Sequence, residues 1–288
     1  MNAQAMNRPE IVLDPVRCEL AEVQRPLSAL ENVYRIGWLR KLVLFLVLVL
    51  IWEIYARWLG NPLLFPTFSD TLDAFFCGIA NGILLGRAAI SLQTLIAGYA
   101  IGILLAMLLT TLAVGTKLGA DLLQTLTSMF NPLPAIALLP LALIWFGLGE
   151  GSLIFVMAHS VVWSVALNMH GGLRSVSPTL RMVGRNCGLK GFVLVRRILI
   201  PAAFPSILTG LKIGWAFAWR TLIAAELVFG ASAGKGGLGW YLFENRNLLE
   251  TANVFAGLLL VIVIGLLVEN VVFAGIEKRT IRRWGMQT

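Results

Sequence analysis

Three stretches of this chain contain no Asp, Glu, Lys or Arg: Ala88–Thr116, Leu122–Gly149 and Gly151–Leu173. Each is longer than the roughly 20 residues a helix needs to cross a bilayer. In hydrocarbon no water pairs with exposed peptide groups, so such runs are stable only as structures that satisfy their own backbone, and an apolar run without period-two alternation does so as a helix. The whole chain fits this constraint. Of its 288 residues, 58% are hydrophobic and 13% charged, where a soluble domain carries about 25% charged residues. The reading is an all-α polytopic membrane protein.

The spans expected from the apolar pattern are Leu42–Trp58, Ile90–Val114, a third within Leu122–Phe146, Leu153–Met169, Ser206–Val228 and Ala252–Ala274. Glu53 and Arg57 lie near the end of the first, where long polar side chains reach the interface. Pro132, Pro134 and Pro140 interrupt the third, so it is expected to be kinked or to start late. The net charge of +8 does not point to nucleic acid, because the bases sit between spans and at the termini. Residues 171–204 hold Arg174, Arg181, Arg185, Lys190, Arg196 and Arg197 without one acid, whereas residues 59–86 hold Asp70 and Asp73 and no base. The positive-inside rule then gives six helices with both termini cytoplasmic. Residues 1–40 form a cytoplasmic tail, 41–276 the membrane domain and 277–288 a second tail. No cleavable signal peptide is expected in the polar first 40 residues. The pairs Gly98/Gly102 and Gly210/Gly214 have the small-xxx-small spacing that permits close helix approach.

The basic segment carries more than charge. Ser177 before Pro178 is a helix start, the hydroxyl capping and the proline at the first helical position. Gly188 is placed to end that helix in the left-handed conformation. Lys190–Ile198 reads as a second helix that Pro201 and Pro205 stop before the next span. The product is a hairpin over about 177–200 whose apolar Val183, Leu189, Phe192 and Val193 lack a partner. On charge alone it reads equally as a topogenic loop packed on its own bundle.

Few residues point to chemistry. Arg220 and Glu226 lie within the fifth span, six apart and so on different helical faces. Each either pairs with a neighbouring helix or outer water, or serves an anion pathway (Arg220) and an outer gate (Glu226). Trp215 and Trp219 read as packing aromatics or as a substrate stack. His159 and His170 are eleven apart with no acidic cluster, and Cys18, Cys77 and Cys187 have no ligand spacing, so no metal site is expected. "GASAGKGG" around Lys235 lacks the phosphate-loop spacing. No Ser/His/Asp set suggests an intramembrane enzyme.

The hairpin resembles the cytoplasmic "EAA" loop of ABC-importer permeases, a pattern of Glu-Ala-Ala, three residues, Gly, nine residues, then I-x-L-P. Gly188, Ile198, Ile200 and Pro201 hold that register, while Met182, Val183 and Gly184 replace the name-giving triplet and Ile200 replaces Leu. "LIWE" (50–53), "FPTFSD" (65–70), "NPLPAIALLPLALIWFGLGEGS" (131–152), "PSILTGLKIGWAFAWRTLIAAEL" (205–227) and "GGLGW" (236–240) are similar to permeases for nitrate, sulfonates, taurine and bicarbonate. The resemblance implies the type I importer transmembrane fold and a non-enzymatic permease subunit in the bacterial inner membrane. It implies a second permease copy, as a homodimer, two ATPase subunits that bind ATP and Mg, and a periplasmic or lipid-anchored substrate-binding protein. Met182, Val183, Gly184, Gly188, Leu189, Lys190, Ile198 and Pro201 would couple to the ATPase. The alternative is an ion-coupled secondary transporter using Arg220 and Glu226.

Overall fold

A computed structural model describes residues 37–229 and 236–283, and all regular structure among them is helical. The tail before Gly37, with Cys18, and the Lys235 loop lie outside the described residues. The helices are α1 (Gly37–Leu59), α2 (Phe68–Ala80), α3 (Ile83–Gly115), α4 (Lys117–Phe130), α5 (Leu139–Phe146) and α6 (Glu150–Ser175). They continue as α7 (Pro178–Asn186), α8 (Gly191–Leu194), α9 (Ile200–Phe229), α10 (Leu238–Asn247), α11 (Thr251–Leu267) and α12 (Ala274–Glu277). Residues 37–50 form one compact unit, a helical stretch whose apolar side chains are nearly all exposed; residues from 51 onward form the other.

Five helical stretches are long and apolar enough to cross a membrane, and a sixth is the pair formed by α4 and Ala135–Phe146. That pair bends by 88°. The expected kink in the third span is therefore a full break at Asn131–Pro134. Pro132 and Pro134 donate no backbone hydrogen bond, and Pro134 is extended with ψ of 120° before a short 3-10 turn.

Whether the broken pair crosses follows from the direction of its neighbours. A Cβ on Gly98 would lie 2.7 Å from Met157, and one on Gly102 would lie 2.6 Å from Val161. Thr110 Oγ1 donates to Ala166 O at 3.5 Å. Both residue numbers rise together, so α3 and α6 run parallel. Two consecutive parallel helices need a return across the molecule between them, and residues 116–149 supply it. The remaining pairs agree. Gly210 packs on Asn168 and Gly214 on Val165, so α9 is antiparallel to α6. Both small-xxx-small pairs thus sit at helix crossings.

The core is the α3–α6–α9 contact, with Leu95, Val156, Val161, Val165 and Leu222 fully buried. Many large apolar side chains are exposed, as a membrane solvent allows.

One boundary differs from the sequence expectation. Pro201 and Pro205 do not stop a helix: α8, the π turn Val195–Leu199 and α9 are continuous. The proline ring at 201 would clash with the carbonyl of residue 197, which lies inside that π turn, where the widened spiral relieves it. At the other end of the chain the last helix runs on through further π turns to Arg282, so the described part of the 277–288 segment is helical as far as that residue.

Candidate functional site

At one end of the bundle the basic segment folds as a hairpin. Ser177 Oγ accepts from Leu180 N at 3.3 Å, with Pro178 opening α7. Gly188 has φ +78°, a conformation that strains a side chain, and Leu189 N returns to Gly184 O at 3.0 Å. The second arm crosses the first at Gly184, where a Cβ would lie 2.6 Å from Leu194 and 3.2 Å from Ile198. Gly184, the last of the three residues that replace the Glu-Ala-Ala triplet, is thus the contact point of the hairpin. Arg181 Nη2 donates to Leu173 O at 2.6 Å and ties α7 to the end of α6.

Around this frame Met182, Val183, Phe192 and Val193 are exposed, as are Lys190 and Arg185. Leu189, Ile198 and Pro201 are half-buried. Leu189 therefore leaves the set of fully exposed apolar residues that its position suggested.

The opposite end is closed by a buried carboxylate. Glu226, 3% exposed, accepts from Ser91 Oγ at 2.8 Å and from Gly239 N at 2.8 Å. Ser91 Oγ in turn accepts from Leu238 N at 2.8 Å. The N-cap of α10 is Gly237, which has no side chain to cap with, so Glu226 supplies the acceptor oxygen for the first amides of the helix. "GGLGW" follows from this packing: a Cβ on Gly237 would lie 2.2 Å from Ser91 Oγ and one on Gly239 2.5 Å from Ile223 O. Arg87 adds a bond to Gly236 O at 2.8 Å and an ion pair to Glu244 at 3.2 Å. At the same end "LIWE" meets "FPTFSD": Trp52 Nε1 donates to Pro66 O at 3.0 Å, and Ser69 Oγ to Glu53 at 2.8 Å.

The other intramembrane candidates do not converge with Glu226. Trp219 is buried and donates to Val261 O at 3.3 Å, and Trp215 packs edge-on to Tyr99 at 5.5 Å. Arg220 is exposed, its guanidinium 5.1 Å from the Phe217 ring, beside a cavity of about 260 Å³ that Lys212 and Glu269 also line. Among the described residues it makes no ion pair; Lys212 is bound to Glu277 at 2.6 Å.

A file of three cavities runs along α4 and α6. The first, about 400 Å³ at the hairpin end, is lined by Lys117, His170, Arg174 and Arg181. The second, about 550 Å³, shares His170 and Arg174 with it and adds Asp121, Gln124 and Thr127. The third, about 170 Å³, shares Asn131 and Pro132 with the second and reaches His159, Trp163, Phe217 and Thr221. Sequence reasoning named His159, His170, Arg174 and Arg181 without bringing them together and missed the other lining residues. Their signal was the proline-broken span itself, because non-helical backbone at membrane depth is tolerated where it lines a cavity. Among the described residues no group of His, Cys, Asp and Glu could hold a metal.

Residues 98–284 match the family model described as binding-protein-dependent transport system inner membrane component. An ABC transporter permease of Methanocaldococcus jannaschii is 32% identical over 77% of this chain and 84% of its own length. An aliphatic sulfonates transport permease of Bacillus subtilis is 30% identical over 87% of this chain and 89% of its own. A nitrate import permease of Synechocystis is 28% identical over 86% and 91% respectively.

Proposed function

The chain belongs to the family of binding-protein-dependent transport system inner membrane components, and from that premise we propose that it carries a small oxyanion inward, driven by a separate ATPase docked on the 177–200 hairpin. It is a multi-pass ABC transporter permease subunit. The oxyanion reading rests on the relatives named for sulfonates and nitrate, and on the bases Lys117, Arg174 and Arg181 at one end of the cavity file.

The docking reading is carried by one observation: Met182, Val183, Phe192 and Val193 are exposed on a hairpin that a capped helix, Gly184 and the Arg181 bond hold rigid. Apolar side chains presented from a rigid frame and rimmed by Arg185 and Lys190 suit a groove on a protein with complementary acids. Two ATPase subunits, binding ATP and Mg, would serve a homodimer of this chain. A substrate-binding protein would dock at the opposite end. The hairpin end is then cytoplasmic, in the inner membrane, with both termini on that side. The concentration of bases there supports this orientation.

Co-purification with the ATPase tests the docking. Wild type is expected to retain the ATPase and Gly188→Asp to lose it, since the φ of +78° strains a side chain at the hairpin tip. Equal retention by both places the docking elsewhere. ATP-independent uptake coupled to an ion gradient would support the secondary-transporter alternative instead.

A further inference from the structure

The cavity of about 260 Å³ between α9 and the helix that begins with α11 brings two unpaired charges together at membrane depth. Trp219 Nε1 donates to Val261 O and Lys212 Nζ to Glu277, so the residue numbers run in opposite senses and the two helices are antiparallel. Val261 lies ten residues along α11 from Thr251, whose hydroxyl donates to Leu63 O in the α1–α2 link. That is about 15 Å of helix, half of a hydrocarbon core about 30 Å thick. Arg220, next to Trp219, therefore lies near the middle of the membrane. An ionised side chain at that depth needs a counter-charge or a polar cavity.

Side chains on a helix lean toward its N-terminus. Arg220 does so, its Nε donating to Ala216 O at 3.0 Å one turn toward the hairpin. Glu269 follows Gly265, which packs near Trp219, by one turn. The same lean on the antiparallel helix brings its carboxylate toward the guanidinium. Both residues are exposed and line the cavity, yet among the described residues neither forms an ion pair. The other polar groups of the lining are taken. Lys212 is held by Glu277 and Trp219 by Val261 O, and Trp215 Nε1 is enclosed and presents no surface to the cavity. The backbone there is helical and bonded to itself. What the cavity offers is one guanidinium, one carboxylate and apolar walls from Trp215, Trp219 and Phe273.

That combination discriminates by charge. A simple anion compensates Arg220 but leaves Glu269 without a partner and is repelled by it; a simple cation does the reverse. A solute with both charges satisfies both residues. The cavity of about 260 Å³ admits a chain of several heavy atoms, given roughly 30 Å³ for a water in the liquid. We propose that Arg220 and Glu269 form an intramembrane binding site for a small zwitterion, a sulfonate or carboxylate joined to an ammonium by a short carbon link. The guanidinium fork takes two oxygens of the anionic group, the Glu269 carboxylate takes the ammonium, and the aromatic walls cover the link. The site rests on the oxyanion-importer reading and narrows it: the cargo is an oxyanion that also carries an amine, and the permease itself selects for that amine.

Three compounds of one skeleton test this. The full chain in nanodiscs is titrated calorimetrically with 2-aminoethanesulfonate, ethanesulfonate and ethylamine at neutral pH. Saturable binding of 2-aminoethanesulfonate is expected, with the other two weaker by about tenfold, the effect of losing one charge-assisted contact. Glu269→Gln is expected to lower the affinity for 2-aminoethanesulfonate to that for ethanesulfonate, and Arg220→Gln to weaken both sulfonates. No binding of the zwitterion, equal affinity of the wild type for the two sulfonates, or a preference that survives Glu269→Gln overturns the site. The first two outcomes need no variant, so a substitution that fails to fold leaves the proposal falsifiable. Uptake by the complete transporter in proteoliposomes separates the two readings. ATP-driven uptake of ethanesulfonate, with no zwitterion binding to the permease, overturns the site and leaves the importer reading standing. No ATP-driven uptake of either sulfonate together with no zwitterion binding overturns both.

Discussion

At the residue scale, Glu226 was read from sequence either as an outer-gate acid or as a partner of a neighbouring helix. The structure gives it a partner on α3, Ser91, and a second on α10, the Gly239 amide. Glu226→Ala strands both donors in a buried site, at about 1–3 kcal/mol each. Its thermal unfolding in detergent is expected well below wild type, with Glu226→Gln between the two because one amide oxygen can still accept. Any surviving Glu226→Ala transporter should keep the wild-type half-saturation for its substrate; a changed half-saturation would return Glu226 to the pathway. Sequence could flag Glu226 because a charge in an apolar span is conspicuous. It could not show the cavity beside His159, which depends on the end of α4 packing over that residue, a contact between residues 29 apart in the chain.

At the element scale, the close crossings were legible and the interrupted ones only partly so. The spacing Gly98/Gly102 marks a helix contact in any membrane chain, and it lies where α3 meets α6. Gly102→Leu is expected to cost about 1–3 kcal/mol by overpacking against Val161. Gly86→Leu on the same helix, where a side chain meets open space, should change the melting temperature little; equal losses would refute the crossing. Prolines were harder to interpret. Those at 132 and 134 break a span outright, whereas Pro201 rides through a continuous helix because a π turn precedes it. Proline states what the backbone cannot donate, and the surrounding turn decides whether the helix ends.

At the scale of the whole molecule, alternation of charge gave the order of crossings, and the parallel run of α3 and α6 accounts for it by requiring the broken pair to traverse. Two native cysteines can check this. Cys77 and Cys187 are both exposed, one near the α2–α3 turn and one on the hairpin. In a Cys18→Ser background, a membrane-impermeant maleimide should label Cys77 on intact spheroplasts and Cys187 only after lysis. Labelling of both from one side would mean an even number of crossings between them and would refute the traverse by the broken pair. Finally, α9 joins the hairpin to the Glu226 knot without interruption, over 30 residues or about 45 Å. A rod of that length magnifies rotation: pivoting it by about 5° about its pinned Glu226 end sweeps the hairpin end through about 4 Å. One stiff lever, held by its neighbours at the Glu226 end, would let a small change of angle there appear as a displacement several times larger where it meets the hairpin.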